Sequence, residues 1–527
     1  MTRVGRIRGK LLPIAGAAVS AAALLGVSGL VVASVSTTRA VQEFALPTER
    51  HDLTPKDRRR VAMVTRHATD FSEAERFERM AGGAGTSTHA ADRKAFQHHA
   101  SNISFEAREN FYLGGSLFEK LWVSSPSSTH ASDGLGPLFN ARSCHRCHIR
   151  NGRGHAPEGP NDTSVSMLMR VSVPPASEAD VAALADRTIL RVPEPNYGAQ
   201  IQDYSVPGLP AEGRIAVTWD EREVALADGE TVHLRRPVVS VAHLSRGPLS
   251  SGVMTSLRVA NPMLGLGLLE AIHPADIAAL ADPGDRDGDG ISGRPSIVRD
   301  PDTGELALGR FGWKATAPTV RAQSAEAFSG DIGISTTIHT DPFGDCGINE
   351  AACRAMPTGV QPRYGPVEAP DPILELVTFY SKNIAVPARR DVSDPAILEG
   401  KALFYQAGCT ACHQPKFVTS RRATNPEHRF QLVWPYTDML LHDMGEGLSD
   451  NRPLANASGR EWRTAPLWGI GLTQAVNGHM NLLHDGRARG VLEAVMWHGG
   501  EAQAARDRVA AMTKAERAAL VRFVESL

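Results

Sequence analysis

Two five-residue stretches, Cys144-His-Arg-Cys-His148 and Cys409-Thr-Ala-Cys-His413, repeat one pattern far apart in the chain. In each, two thiols are separated by two residues and the second is followed at once by histidine. Thiols so spaced can add across the two vinyl groups of one porphyrin, and the adjoining imidazole then reaches the iron. C-x-x-C-H therefore reads as covalent haem c attachment. The plainer reading of one C-x-x-C is a zinc half-site or a dithiol redox pair. Zinc would have to join two distant half-sites, and it leaves both histidines without a role. Two covalently bound haem c groups are the expectation, held by Cys144, Cys147 and His148 and by Cys409, Cys412 and His413, with His148 and His413 on iron. A chain that must wrap two large flat cofactors is constrained more by this repeat than by any other feature.

The 527 residues are enough for two to four domains with sizeable cores. A formal net charge of −2, with both signs mixed along the chain, excludes the basic footprint of a nucleic-acid binder. Arg3, Arg6, Arg8 and Lys10 precede an uncharged run, Leu11 to Thr38. A basic end before an apolar run is an export signal. The run exceeds the roughly 7–15 apolar residues of a cleaved signal and could span a bilayer. Residues 1–40 are read as a signal peptide or a membrane anchor, and both readings stay open. The body is expected in the periplasm, soluble or tethered through residues 11–38, with no other membrane contact.

Residues 41–100 are polar and charged and are read as a loosely packed lead-in. Phe105, Phe111, Tyr112, Phe118 and Leu121 recur at helical spacing, predicting a helix over 104–122 packed near the first haem. Short β-branched stretches at 165–171, 214–219, 231–234 and 238–241 predict strands of a β-rich insertion over about 165–260. Helix resumes at 264–272 and 273–280. Asp285, Asp287 and Asp289 alternate before Gly290, as in a calcium loop, but Ser296 stands where such a loop needs its bidentate acid. Calcium and an ordinary Asp/Gly-rich surface turn both stay open there. Cys346 and Cys353, outside the cytoplasm, are expected to pair. Asp394-Pro395 caps a helix leading to Cys409, and Thr513…Glu516 is a capping box for a closing helix. The fold expected is mainly α, with two cytochrome c-type haem domains: 101–390, carrying the insertion, and 391–527.

Gly134-Leu-Gly-Pro-Leu-Phe-Asn-Ala-Arg-Ser-Cys144, Gly309-Arg-Phe-Gly-Trp-Lys-Ala315, Leu441-His-Asp-Met-Gly445 and His484-Asp-Gly-Arg-Ala488…Trp497-His-Gly-Gly-Glu-Ala502 resemble the di-haem oxidoreductases often described as thiol oxidoreductases. These are relatives of the bacterial di-haem cytochrome c peroxidases and the MauG-like enzymes. The resemblance runs from about residue 95 to the end. It implies that one haem, in the N-terminal half, opens to peroxide while a six-coordinate second haem feeds it electrons. It implies further that Trp313 lies between the haems, that Gln323 hydrogen-bonds the peroxide oxygens, and that Asp331 moves a proton. The peroxidases carry Glu where Asp331 stands, so Glu326 is the alternate. Laying His484-Asp-Gly486 over the family pattern puts His498 at the sixth position of the second iron, with Met496 as runner-up. His442 and His484 are read as supporting or surface histidines.

The expected function is a peroxidase-like oxidoreductase that reduces hydrogen peroxide or another small substrate. A small electron-donor protein, a cytochrome c or a cupredoxin, is its expected partner. Two rivals stand beside it: a non-catalytic di-haem electron carrier, and an oxidase of thiols or another small donor.

Overall fold

Local signals set the helices around the second C-x-x-C-H. The Asp394 carboxylate accepts from Ala396 N at 2.8 Å and starts the helix Pro395–Gln406, which Gly408 terminates at φ 82°. Thr513 and Glu516 form the reciprocal capping box of Lys514–Ser526, which buries Leu520, Phe523 and Val524. The two helices cross at Gly400, where any Cβ would collide with the Ala519 carbonyl. Only glycine permits so close an approach there.

In this computed structural model, residues 44–527 are described, apart from 131, 159–161, 163–165 and 348. The export segment expected at 1–40 lies outside them. No described helix is long and apolar enough to cross a membrane.

The expectation of a mainly α chain is not met. Helix accounts for 31% and strand for 17%, and the described strands pair into seven two-stranded sheets. Most of these ladders run two or three residues inside Gly/Pro-rich segments. Alternation cannot be recognised over so short a span, because pairing there is decided by which loops meet rather than by a period. Residues 44–527 form one compact unit.

Strands do form over 165–260, and they run longer than their sequence signals. Met167–Ser172 pairs with Met254–Val259, and Arg214–Ala225 pairs along its whole length with Thr231–Ala242. The second strand of that hairpin joins the two stretches expected at 231–234 and 238–241. Pro237, opposite Trp219, does not interrupt it, because a two-stranded ribbon leaves one edge free and proline can face it. The hairpin is a strap. Val217, Val239 and Val241 near its base pack on a core of Met167, Met169, Tyr197, Leu257 and Val259. Leu226, Val232 and Leu234 near its tip belong to the main core with Phe523 and Leu527. Its tip is clamped by Arg517, 2.6 Å from both Asp228 and Glu230.

Two further expectations change. Of the five apolar residues expected on the inner face of the helix Phe105–Glu119, Phe111 and Phe118 are buried against Tyr380, whereas Phe105 and Tyr112 are 74% and 62% exposed and Leu121, beyond the helix, also faces outward. The apolar stripe is narrower than its composition suggested. Residues 41–100, as far as described, are packed only in part: the helix Pro55–Thr65 buries no residue, whereas Ala81, Thr86, Ser87 and Phe96 are buried. Glu78 is buried with Arg389 and Lys401, and Glu75 bridges Lys401 and Lys416 at 2.9 and 2.5 Å. Their charges pair across the fold instead of facing solvent, and pairing is what allows ions to be buried. Cys346 and Cys353 form the expected disulfide.

Candidate functional site

The first C-x-x-C-H is a single helical turn, Cys144–Cys147, closed by His148 N donating to Cys144 O at 3.0 Å. One turn brings residues i and i+3 to the same side, so both thiols and the following imidazole face one space. The chain then reverses through Arg150 and Asn151, at φ 54° and 63°. Asn151 holds that left-handed turn by donating to Phe96 O at 2.8 Å and accepting from Tyr380 Oη at 3.0 Å. At the second motif, His413 N donates to Cys409 O at 2.9 Å, and Phe404 packs against the His413 ring and, edge-on, against Tyr436.

Each motif opens into its own cavity. Each holds about 1770 Å³ of space free of protein atoms, open solvent at the mouth included. Cys144, Cys147 and His148 line the first with Phe118, Leu264, Leu266, Leu269 and Phe311. Cys409, Cys412 and His413 line the second with Phe404, Leu467, Leu482, Val495, Leu520 and Val524.

Three histidines share one arrangement. His148 Nδ1 pairs with Asn261 O at 2.8 Å, His413 Nδ1 with Tyr436 O at 2.9 Å, and His498 Nδ1 with Ala494 O at 2.7 Å. A carbonyl accepts from the protonated Nδ1, leaving the Nε2 lone pair for a metal. Burial pushes His148 and His413 down to about 4 and lowers His498, so all three are neutral near pH 7. His413 and His498 line the same cavity, whereas among the described residues His148 is the only histidine lining the first. Met496, the runner-up, is 1% exposed in the core and does not line the cavity.

Trp313 lines both cavities, together with Arg153, Arg463, Ala465 and Pro466. Its Nε1 donates to Val259 O at 2.9 Å, and Arg153 lies over its ring. His484 is edge-on to Trp313 and stacks on Trp462 at 3.8 Å between centroids. His484 and His442 are 5% and 2% exposed, so the surface reading of these two is incorrect. Apolar and aromatic neighbours bury His484, and paired carboxylates bury His442 as an ion.

Gln323, Glu326 and Asp331 all line the first cavity. They lie on one helix, Val320–Ala327, and the π-helical turn Phe328–Ile332 that continues it. Asp331 sits 3.4 Å from Arg170 and accepts from Gln200 Nε2 at 3.1 Å; burial raises its pKa above the usual 3.8. Glu326 is 3.9 Å from Arg191. The carboxylates of Asp285, Asp287 and Asp289 converge to within 4.8 Å on the surface, and Asp289 also lines the second cavity.

The family described as "Di-haem oxidoreductase, putative peroxidase" matches residues 77–527. The chain belongs to the di-haem oxidoreductase family. No curated protein matches it.

A di-haem oxidoreductase must satisfy the carboxylates of two haems, and the first cavity is built for anions. Arg153, Arg170, Arg191, Arg258, Lys314, Arg452 and Arg463 line it, against Glu326, Asp331 and, behind the wall, Asp450. Arg452 is fully buried with Nε and Nη1 unpartnered among the described residues, as are Arg258 Nη1 and Arg191 Nε. Burial and the neighbouring guanidiniums push Arg452 down to about 8, and burial pushes Lys314 down to about 7. Cations so placed are costly until an anion arrives. Haem, apolar across its face and dianionic at one edge, fits this lining. None of these arginines was identified from the sequence. They come from six separate segments and follow no spacing; Lys314 alone adjoins a singled-out residue, Trp313.

Proposed function

We propose that this di-haem oxidoreductase reduces hydrogen peroxide at the first cavity with electrons received through the second. The observation that carries the reading is an asymmetry of ligands. The second cavity has two neutral histidines with free Nε2, His413 and His498. The first has His148 and, in place of a second histidine, a wall carrying Gln323, Glu326 and Asp331. Met263, the one methionine lining it among the described residues, follows Asn261, whose carbonyl holds His148 from behind.

In this reading Cys144, Cys147, Cys409 and Cys412 would hold the haems covalently, His148 would ligate one iron, and His413 and His498 would ligate the other. Haem supplies the redox chemistry: two electrons and two protons reduce one peroxide to two waters. The chain's own residues manage protons and position. Asp331, with its pKa raised by burial, shifts a proton between the peroxide oxygens, and Glu326 is its alternate. Gln323 donates to an oxygen as charge develops on it. Trp313, in contact with both cavities, is the aromatic bridge for the electron.

Export to the periplasm, a small electron-donor protein and calcium held by Asp285, Asp287 and Asp289 belong to the same proposal. Fractionation, a donor screen and the effect of a calcium chelator on thermal stability check them in turn.

The test is the resting and half-reduced spectrum of the purified holoprotein. A high-spin component that shifts on adding peroxide or cyanide supports the reading. Two low-spin centres that ignore both probes in every redox state reduce the protein to an electron carrier.

A further inference from the structure

Behind the wall that carries Glu326 lies a second chamber, about 1160 Å³ on the same measure. Four side chains, Arg170, Arg191, Thr316 and Glu326, face both this chamber and the first cavity. Three of them belong to two loose ion pairs, Arg170–Asp331 at 3.4 Å and Arg191–Glu326 at 3.9 Å. Neither pair has the short bidentate geometry that locks a guanidinium in place. Thr188, Pro301 and Gly304, which also line the chamber, are exposed. The chamber therefore runs from solvent to the candidate acids along a wall rich in hydrogen-bonding groups.

We propose that this chamber is the passage by which peroxide-sized polar solutes reach the first haem cavity, crossing into it between Arg191 and Glu326. The inference rests on the peroxidase reading and deepens it by naming the substrate class. A path lined by guanidinium, hydroxyl, carboxylate and imidazole groups can replace the water shell of hydrogen peroxide at each step. Leu190, Ala199, Pro301, Ala317 and Ala322 supply apolar surface between those groups. The two ion pairs at the inner end place both candidate acids where an arriving oxidant first meets the cavity.

Gly330 allows a direct test. A Cβ built there meets only Arg170 Nη1, at 3.8 Å, and the residue does not occupy the left-handed region. Gly330→Phe therefore projects a ring into the chamber without backbone strain, and His339→Trp obstructs it from another segment. The experiment uses the full-length holoprotein. Stopped-flow rates are measured for hydrogen peroxide and for cyanide binding to the oxidised protein, and cyanide affinity is measured at equilibrium.

An obstructed passage slows entry and exit alike. Both variants are expected to cut both association rates by about tenfold or more, with cyanide affinity and resting spectra unchanged. Wild-type rates in both variants overturn the passage while leaving the peroxidase reading intact. Weakened cyanide affinity at an unchanged association rate also overturns it, since that marks damage to the site and not to its access. A wild-type protein that binds cyanide but ignores peroxide overturns the peroxidase reading and leaves the passage to be judged by cyanide. One that binds neither overturns both.

Discussion

His442→Gln removes one cation that serves two buried carboxylates. The imidazole lies 2.8 Å from Asp438 Oδ2, 2.6 Å from Glu501 Oε2 and 3.6 Å from Cys412 Sγ. The three charged side chains are 3%, 2% and 8% exposed. Burial opposes the charge on His442, but Asp438, Cys412 and Glu501 outweigh it and hold the pKa well above 6.5. Breaking a buried pair by removing one partner costs roughly 3–5 kcal/mol. The lower end applies here, because Glu501 keeps Ser292 Oγ and Asp443 N, and Asp438 keeps Leu440 N. About 3 kcal/mol raises the unfolding constant on the order of a hundredfold.

Urea titrations of holoprotein, wild type against variant, followed by far-ultraviolet circular dichroism, measure the difference as a shift in midpoint. The pH dependence follows from the sign of the shift. A folded pKa above the unfolded value gives stabilisation that is full below about pH 6.5 and declines as pH rises toward the folded pKa. The variant's deficit is therefore largest at pH 6 and shrinks by pH 9. Equal midpoints at pH 6, or a deficit that widens with pH, refute the assignment of His442 as a buried imidazolium.

Three further outcomes are expected. Trp313→Leu slows re-oxidation of the second haem after peroxide addition by about tenfold or more, a barrier change of roughly 1.4 kcal/mol; its own reaction with ligands at the first haem is unchanged, and stopped-flow at the two Soret bands separates these. Asp331→Asn lowers the second-order rate with peroxide by about 10²–10⁴-fold. In wild type that rate falls as acidification protonates Asp331, at a pH above its ordinary 3.8 because burial raises the pKa, and a pH–rate profile of the variant lacks this limb. His498→Met raises the reduction potential of the second haem alone, since thioether ligation favours the reduced iron; potentiometry showing no change, or a change in the first haem, removes His498 from the ligand set.

The parts of the site that were readable from the sequence are those made by contiguous residues. One helical turn is enough to bring Cys144, Cys147 and His148 together, and Asp394-Pro395 and Thr513…Glu516 cap their helices whatever surrounds them. The overall class was misjudged because helices announce themselves over three or four turns, whereas a two-residue ladder such as Phe417–Val418 with Leu432–Val433 has no period to detect. The lead-in was misjudged in part, for a related reason. A charged residue looks solvated until its partner is known, and Glu78 finds Arg389 and Lys401 more than three hundred residues away.

The sequence by itself determined that each of two cysteine pairs shares one space with the histidine that follows it, because that geometry is local and needs no neighbour. Only the tertiary structure decided that a cluster of arginines lines the first cavity and that Glu78 is buried between Arg389 and Lys401. Each of those is a meeting of segments distant along the chain, and packing, not spacing, selects which side chains arrive there.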